Sequence, residues 1–192
     1  MSEIQQTPAI PQGEMLLLKL GEVVLKGLNR RSFEDKLIAN VRRRVRRCGE
    51  FHVYSKQSTI YVEPLSDQCD VEAAYAACRQ IFGVIAVARA LPCGKDKESI
   101  FEAARTYLKE PLTAAHSFKV ETKRADKRFP MTSIQLSQWV GGELQDAFPH
   151  LAVDVHQPEF TVYIEVRENA AYVHAPAESG AGGLPIGMGG KA

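Results

Sequence analysis

A short basic segment follows a predicted strand in the second half of the chain. In residues 118–124 apolar and polar side chains alternate, which is the period-two pattern of a half-buried strand. Pro130 disfavours helix at the residue before it, and Thr132 with Gln135 three positions later is typical of a capping box that opens a helix. Four cations are therefore predicted to lie around a strand-to-helix turn: Lys123, Arg124, Lys127 and Arg128.

Such a turn is suited to binding phosphate. The first N–H groups of a helix have no acceptor within it, and the helix dipole places partial positive charge at the same end. Lysine and arginine side chains add full charges beside these donors. A solvated basic loop is the alternative interpretation, and the segment alone favours neither.

A second concentration of positive charge lies in the first predicted helix. Ser32 with Asp35 is typical of a capping box, and apolar residues follow at helical spacing from Phe33 to Val45. Five arginines around its C-terminal half exceed what the helix dipole would account for. A solvated charged face is the alternative to an anion-binding one, and we expect Arg43 and Arg47 to contact the anion. The five are Arg42, Arg43, Arg44, Arg46 and Arg47.

Motifs for catalysis are missing from the sequence. It contains neither a GxxxxGK[ST] phosphate loop nor GxGxxG, GxSxG or HExxH. Its four cysteines form no CxxC pair, and its five histidines have no metal-ligand spacing. We therefore expect no catalytic residue, no metal site and no cofactor in this chain.

The composition is that of an ordinary globular protein. Of 192 residues, 45% are hydrophobic and 24% are charged, and the chain is long enough for one large or two small domains. No apolar run reaches the ~18 residues of a membrane span, and residues 1–13 lack the features of a secretory signal. A cytoplasmic protein without membrane contact is predicted.

The order of predicted elements indicates an α/β (α+β) protein with two domains. Residues 14–92 predict a ferredoxin-like β-α-β-β-α-β domain, in which a helix over 71–82 precedes a strand that Pro92 stops. Residues 93–175 predict a second α/β domain, with a first helix ended by Pro111 and a later one that contains Gly141 and Gly142. These glycines either let another backbone approach or mark a bend, and the close approach is the favoured explanation. Residues 1–13 are predicted to be a flexible leader, and residues 176–192 a Gly/Pro-rich linker to an absent domain.

Four segments, taken in order, resemble the N-terminal half of the tRNA 4-thiouridine synthetase family, the tRNA sulfurtransferases called ThiI. They are residues 21–30 (GEVVLKGLNR), 123–133 (KRADKRFPMTS), 140–144 (VGGEL) and 182–187 (GGLPIG). The resemblance implies a ferredoxin-like domain followed by a THUMP domain. It also implies that the two bind the acceptor stem of tRNA and its 3′ CCA end.

The resemblance assigns roles to individual residues. It implies RNA contacts for the four cations of the strand-to-helix turn, and contacting or organising roles for Lys26, Asn29 and Arg30. It further implies a following catalytic domain that uses ATP with Mg²⁺ to modify uridine 8, and a cysteine desulfurase as partner of the full-length protein. A homodimer is possible. Because the Ser-Gly-Gly-x-Asp-Ser loop of that domain is absent, the chain is expected to bind tRNA without catalysing a reaction.

Other functions remain open on the sequence. THUMP domains also occur in tRNA methyltransferases, deaminases and pseudouridine synthases, and a ferredoxin-like domain can serve as a small-molecule sensor or a protein-interaction module. RNA binding is favoured because arginine fits phosphate in a bidentate manner. Few aromatic residues are expected at the surface, which predicts recognition of RNA shape and backbone.

Overall fold

A computed structural model describes residues 13–21 and 30–180, and the chain divides into two compact units. The N-terminal unit contains Glu14–Ala90 together with the described residues from Ala177 onward, and the C-terminal unit contains Leu91–Pro176. The division thus follows Ala90, whereas the boundary predicted from the sequence follows residue 92. In the described ranges no helix is both long and apolar enough to cross a lipid bilayer.

The N-terminal unit has the predicted β-α-β-β-α-β order. Its strands form an antiparallel sheet in the order β2-β3-β1-β4. Alternate residues of the first strand, such as Leu16 and Leu18, pack against Leu37, Val41 and Val45, which share one face of the first helix because of its 3.6-residue period. The elements are β1 (Met15–Leu20), α1 (Arg30–Val45, followed by a 3₁₀ turn Arg46–Cys48), β2 (Phe51–Lys56), β3 (Thr59–Pro64), α2 (Val71–Cys78) and β4 (Val84–Cys93).

Several predicted boundaries in this unit are wrong. Helix α1 already includes Arg30, so Ser32 lies inside it and is not its N-cap residue. Helix α2 ends at Cys78 instead of residue 82, because the chain turns there towards Gly83, which has φ 94°. Strand β4 continues past Pro92 to Cys93. A proline in a strand removes only one backbone donor, and its φ suits extended structure.

The C-terminal unit places two helices before the strand with the basic segment. Its strand order is β6-β5-β7-β8, with β5 parallel to β6 and β7, and β7 antiparallel to β8. Pro111 does not end the helical region as predicted. It lies in the first turn of a short helix, where its missing N–H would have no intrahelical acceptor. The elements are α3 (Lys97–Tyr107), α4 (Lys109–Ala114), β5 (Ser117–Arg124), α5 (Ser133–Ala147), β6 (Ala152–Val153), β7 (Phe160–Val166) and β8 (Ala171–His174).

The core of the C-terminal unit fixes the position of the turn between β5 and α5. Phe118 on β5 is fully buried and belongs to the same cluster as Leu136, Val140 and Leu144 on α5. Because β5 and β7 are parallel, the chain must cross from one end of the sheet to the other between them. Helix α5 makes this crossing, and its first turn therefore lies at the carboxyl end of β5.

A short strand after the C-terminal unit returns to the N-terminal unit. Strand β9 (Glu178–Ser179) pairs antiparallel with β4, and the Gly180 amide donates to the Ile85 carbonyl at 2.8 Å. A Cβ atom at position 180 would overlap the carbonyl oxygen of Val84, so only glycine fits there without a shift. The predicted linker over 176–192 thus begins with residues that belong to a sheet.

Candidate nucleic-acid interface

The predicted capping box at the start of α5 is present. The Gln135 amide donates to Thr132 Oγ1 at 3.1 Å, and the Thr132 amide donates to Gln135 Oε1 at 2.9 Å. These two hydrogen bonds fix the entry of the chain into the helix. The amides of Ser133 and Ile134 precede the first intrahelical bond, so they remain as donors for an anion.

A buried carboxylate organises the turn that precedes this helix. The Asp126 carboxylate accepts a short hydrogen bond from Lys95 Nζ, and its Oδ1 accepts from the Arg128 amide at 3.0 Å. Lys95 Nζ also donates to the Glu168 carbonyl at 2.8 Å. The hydrogen bond from Lys95, followed by that from the Arg128 amide, holds the pKa of Asp126 well below its usual range. Asp126 therefore remains charged and pins the turn to the segments around it.

The stability of the folded chain should depend on pH through this carboxylate. Because its folded pKa is lowered, the ion pair stabilises the fold above the ordinary aspartate pKa of about 4, and the contribution is lost as pH falls through the lowered value. We expect Asp126→Asn to lower the midpoint of thermal unfolding at pH 7. The difference from the unmodified chain should shrink below pH ~4. A difference that does not change with pH would contradict this assignment.

The four cations of the basic segment differ in their environments. Arg124 Nη1 donates to the carbonyls of Phe129 and Met131, at 3.2 and 3.3 Å, so this side chain braces the turn from within. Lys127 and Arg128 are exposed on the turn, and Arg128 Nε lies 3.3 Å from Asp126 Oδ1. Lys123 is exposed on the opposite face of β5, as the alternation of a strand requires. The structure thus brings three of the four to the start of α5.

The arginines of α1 also divide into two groups. Arg42 Nη2 donates to the Val53 carbonyl at 3.0 Å and is tied to strand β2. Arg43 lies opposite the buried stripe of the helix, and Arg47 is exposed on the 3₁₀ turn that follows. These two arginines, which are predicted from the sequence to contact the anion, are therefore accessible to a partner.

The remaining candidate residues lie at the start of α1. Arg30 Nε lies 3.2 Å from Glu34 Oε1, and its Nη2 donates to Ser58 Oγ at 2.7 Å, so it joins the helix to the β2–β3 turn. This geometry suits an organising role. Lys26 and Asn29 lie outside the described residues.

Gly141 and Gly142 of α5 border a groove, and no other backbone approaches them closely. The expected approach of another backbone is wrong: a Cβ at Gly141 would meet only the Val120 side chain, at 3.8 Å, and one at Gly142 would meet open space. The adjoining groove has a volume of about 480 Å³ and lies between α5 and the edge of the sheet at Val153. Both glycines line this groove.

Lys95 and Asp126 shape the turn, although no sequence pattern predicts this role for either residue. The two lie 31 positions apart, and only the fold brings them together. The signal that could have found Asp126 is its place as the one acid within a run of cations.

Within the described residues no group of three His, Cys, Asp or Glu side chains could hold a metal ion. Burial raises the pKa of the Cys78 thiol to about 12, as expected for a core cysteine.

Comparison with known proteins matches each unit to a family. Residues 15–88 match the model of the ThiI ferredoxin-like domain, and residues 94–174 match the THUMP domain. A probable tRNA sulfurtransferase of Acetivibrio thermocellus is 38% identical over 181 residues, which cover 93% of this chain and 46% of the relative. Another probable tRNA sulfurtransferase, from Limosilactobacillus fermentum, is 38% identical over 177 residues, which cover 92% of this chain and 43% of that relative. The chain thus spans a little under half the length of these curated relatives.

Solved structures show the same fold. A crystal structure of a 4-thiouridine synthetase–RNA complex with bound ATP has a TM-score of 0.74 and 26% identity, covering 93% of this chain and 45% of that one. The crystal structure of PH1313 from Pyrococcus horikoshii has a TM-score of 0.75 and covers 91% of this chain and 58% of that one. At 24% identity this likeness supports the fold alone. The chain therefore belongs to the ThiI ferredoxin-like and THUMP domain families and corresponds to the N-terminal part of the tRNA sulfurtransferases.

Proposed function

We propose that this chain is the tRNA-binding portion of a tRNA sulfurtransferase that makes 4-thiouridine at position 8. The observation that carries the proposal is the succession of a ThiI ferredoxin-like domain and a THUMP domain in one chain. The likeness to a 4-thiouridine synthetase solved with RNA supports it, because that likeness extends over 93% of the chain.

The turn before α5 is the proposed site for the tRNA acceptor region and its 3′ CCA end. It offers the free amides of Ser133 and Ile134, which suit phosphate oxygens, and the exposed side chains of Lys127 and Arg128. The buried Asp126 and the bracing Arg124 hold this arrangement before RNA arrives. A preorganised turn loses little conformational entropy on binding.

Binding to tRNA should weaken steeply with salt, because the proposed contacts are to phosphates. If ~5 phosphates are neutralised, the plot of log K against log salt concentration should have a slope of about −4 to −5. Filter binding of the intact chain to tRNA at several salt concentrations measures the slope. A slope near zero would mean that these cations do not contact RNA.

The exposed arginines of α1 should contribute to this slope. We expect the double substitution Arg43→Glu/Arg47→Glu to weaken tRNA binding and to reduce the salt slope by about 2, one for each lost phosphate contact. Folding should change little, since surface substitutions rarely alter stability by more than ~0.5 kcal/mol.

A matched control reverses two charges elsewhere. Arg105→Glu/Lys109→Glu changes the net charge equally on α3 and α4, outside the two basic segments of the sequence. If the two double variants bind tRNA equally well, the arginines of α1 form only a solvated face.

The parent protein extends the proposal. In it, a catalytic domain would use ATP with Mg²⁺ to activate uridine 8, a cysteine desulfurase would supply sulfur, and the protein would act in the cytoplasm, with a homodimer as one arrangement. Another THUMP-containing tRNA-modifying enzyme is the alternative parent. TrmN from Thermus thermophilus has a TM-score of 0.54 but only 20% identity, so it supports the fold alone. A Ser-Gly-Gly-x-Asp-Ser motif in the parent sequence would favour the sulfurtransferase.

A further inference from the structure

Two phenylalanines of the N-terminal unit are much more exposed than the sequence pattern predicts. Phe33 belongs to the predicted apolar stripe of α1 and Phe82 to the predicted helix over 71–82, yet they are 46% and 41% exposed. Single exposed apolar side chains are common on protein surfaces, but these two border the same cleft and give it an apolar wall. The cleft has a volume of about 100 Å³ and is lined by Phe33, Lys36, Leu37, Asn40, Phe82 and Gly83.

The polar side of this cleft carries donors and positive charge. Asn40 Oδ1 accepts a 2.5 Å hydrogen bond from Arg43 Nη2, so the amide NH₂ of Asn40 remains as a donor. Lys36 is exposed at the rim, and Arg44 is exposed one turn beyond Asn40. Between residues 30 and 47 there are eight Lys or Arg and two acids, and one of those acids, Glu34, is paired with Arg30. The surroundings therefore favour an anionic ligand.

The cleft also lies beside the end of β1, because the Gly21 amide donates to the carbonyl of Gly83 in the cleft wall at 3.0 Å. Arg30, for which the family resemblance implies a contacting or organising role, lies three residues before Phe33 on the same helix.

We propose that this cleft binds one unpaired nucleobase of the bound RNA, stacked against Phe33 and Phe82. The Asn40 amide would donate to a ring nitrogen or carbonyl at the base edge, and Lys36 and Arg44 would contact the adjoining phosphates. A planar apolar ring joined to a negative backbone is the ligand that aromatic walls with a basic rim recognise. The inference rests on the proposed function, to which it adds a contact to a base beside the contacts to phosphate.

Binding assays on two RNA probes test the proposal. The intact chain and its variants Phe33→Ser and Phe82→Ser are titrated with tRNA and with a blunt RNA duplex that has no unpaired base. We expect each variant to bind tRNA about 5- to 100-fold more weakly, the range for loss of one stacked base, and to bind the duplex like the unmodified chain. The salt slope on tRNA should not change, because an apolar contact releases no counterions.

Two controls separate stacking from damage to the fold. Phe82→Tyr keeps the ring and should bind tRNA like the unmodified chain. Leu65→Ser removes another exposed apolar side chain, 59% accessible in the same unit but outside the cleft, and should also leave binding unchanged.

The outcomes distinguish this inference from the proposed function. If the unmodified chain binds tRNA and both serine variants bind it equally well, the base site is overturned and the tRNA-binding function stands. Equal losses on tRNA and duplex would also overturn it, because the duplex offers no base to stack. If the unmodified chain fails to bind tRNA, the proposed function fails first.

Discussion

Lys127→Ala and Arg124→Ala are each expected to weaken binding to intact tRNA by about 1–3 kcal/mol, the range for a hydrogen bond to a charged group. Lys127 is exposed on the turn before α5 and would lose a direct phosphate contact. Arg124 supports the turn instead, and its loss would release the carbonyls of Phe129 and Met131, to which Nη1 donates at 3.2 and 3.3 Å, so that every contact offered by the turn would weaken. The loss should therefore be the larger of the two for Arg124.

The dependence of this loss on the RNA end separates end recognition from general affinity for RNA. The same variants should hardly change binding to tRNA that lacks CCA, because the turn has then lost its proposed ligand. Lys109→Ala, an exposed lysine on α4 of the same unit, serves as the control for charge. Equal losses on intact and trimmed tRNA would leave the turn as a non-specific phosphate patch.

Glu165→Ala is expected to lower the free energy of unfolding by about 3–5 kcal/mol, the usual effect of removing one partner from a buried ion pair. Glu165 on β7 is only 2% exposed. Its Oε1 accepts from Arg167 Nη2 at 2.6 Å, and its Oε2 lies 3.0 Å from His174 Nε2. The other ring nitrogen of His174 lies 2.7 Å from the Ala175 carbonyl. Alanine would leave buried polar groups without the carboxylate that they face.

Urea denaturation followed by circular dichroism measures this change. Glu102→Ala provides the matched control, because Glu102 pairs with Arg105 on the exposed surface of α3 at 2.7 Å. That variant should unfold close to the unmodified chain. If the two alanine variants have the same midpoint, the buried network at Glu165 does not stabilise the C-terminal unit.

Periodicity predicted the types of the elements but not all of their ends. The alternation in β5 and the 3.6-residue stripe of α5 identified both correctly, because each buries one face against a core. The sequence predicts that Pro92 and Pro111 end their elements, and both predictions are wrong. A proline breaks an element only where its missing donor or fixed φ matters, and neither the extended end of β4 nor the first turn of α4 meets that condition.

The position of the candidate site was predictable from the sequence, but the role of each side chain within it was not. Charge, Pro130 and the Thr132 capping box were sufficient to predict a strand-to-helix turn. No local pattern shows that Arg124 points into that turn, or that Lys95 reaches Asp126. The exposure of Phe33 could not be predicted either. Helical spacing shows which side of a helix a residue occupies, but not where the neighbouring elements end.

The pairing of β9 with β4 decides which unit holds any polypeptide that continues beyond it. Gly180 donates to Ile85 and approaches Val84 too closely for any side chain, so the outgoing chain is anchored on the N-terminal unit although it follows the C-terminal unit in sequence. A polypeptide continuing from Gly180 would therefore start beside β4. A truncation at residue 176 would sever the anchor itself, whereas one after residue 180 would preserve it.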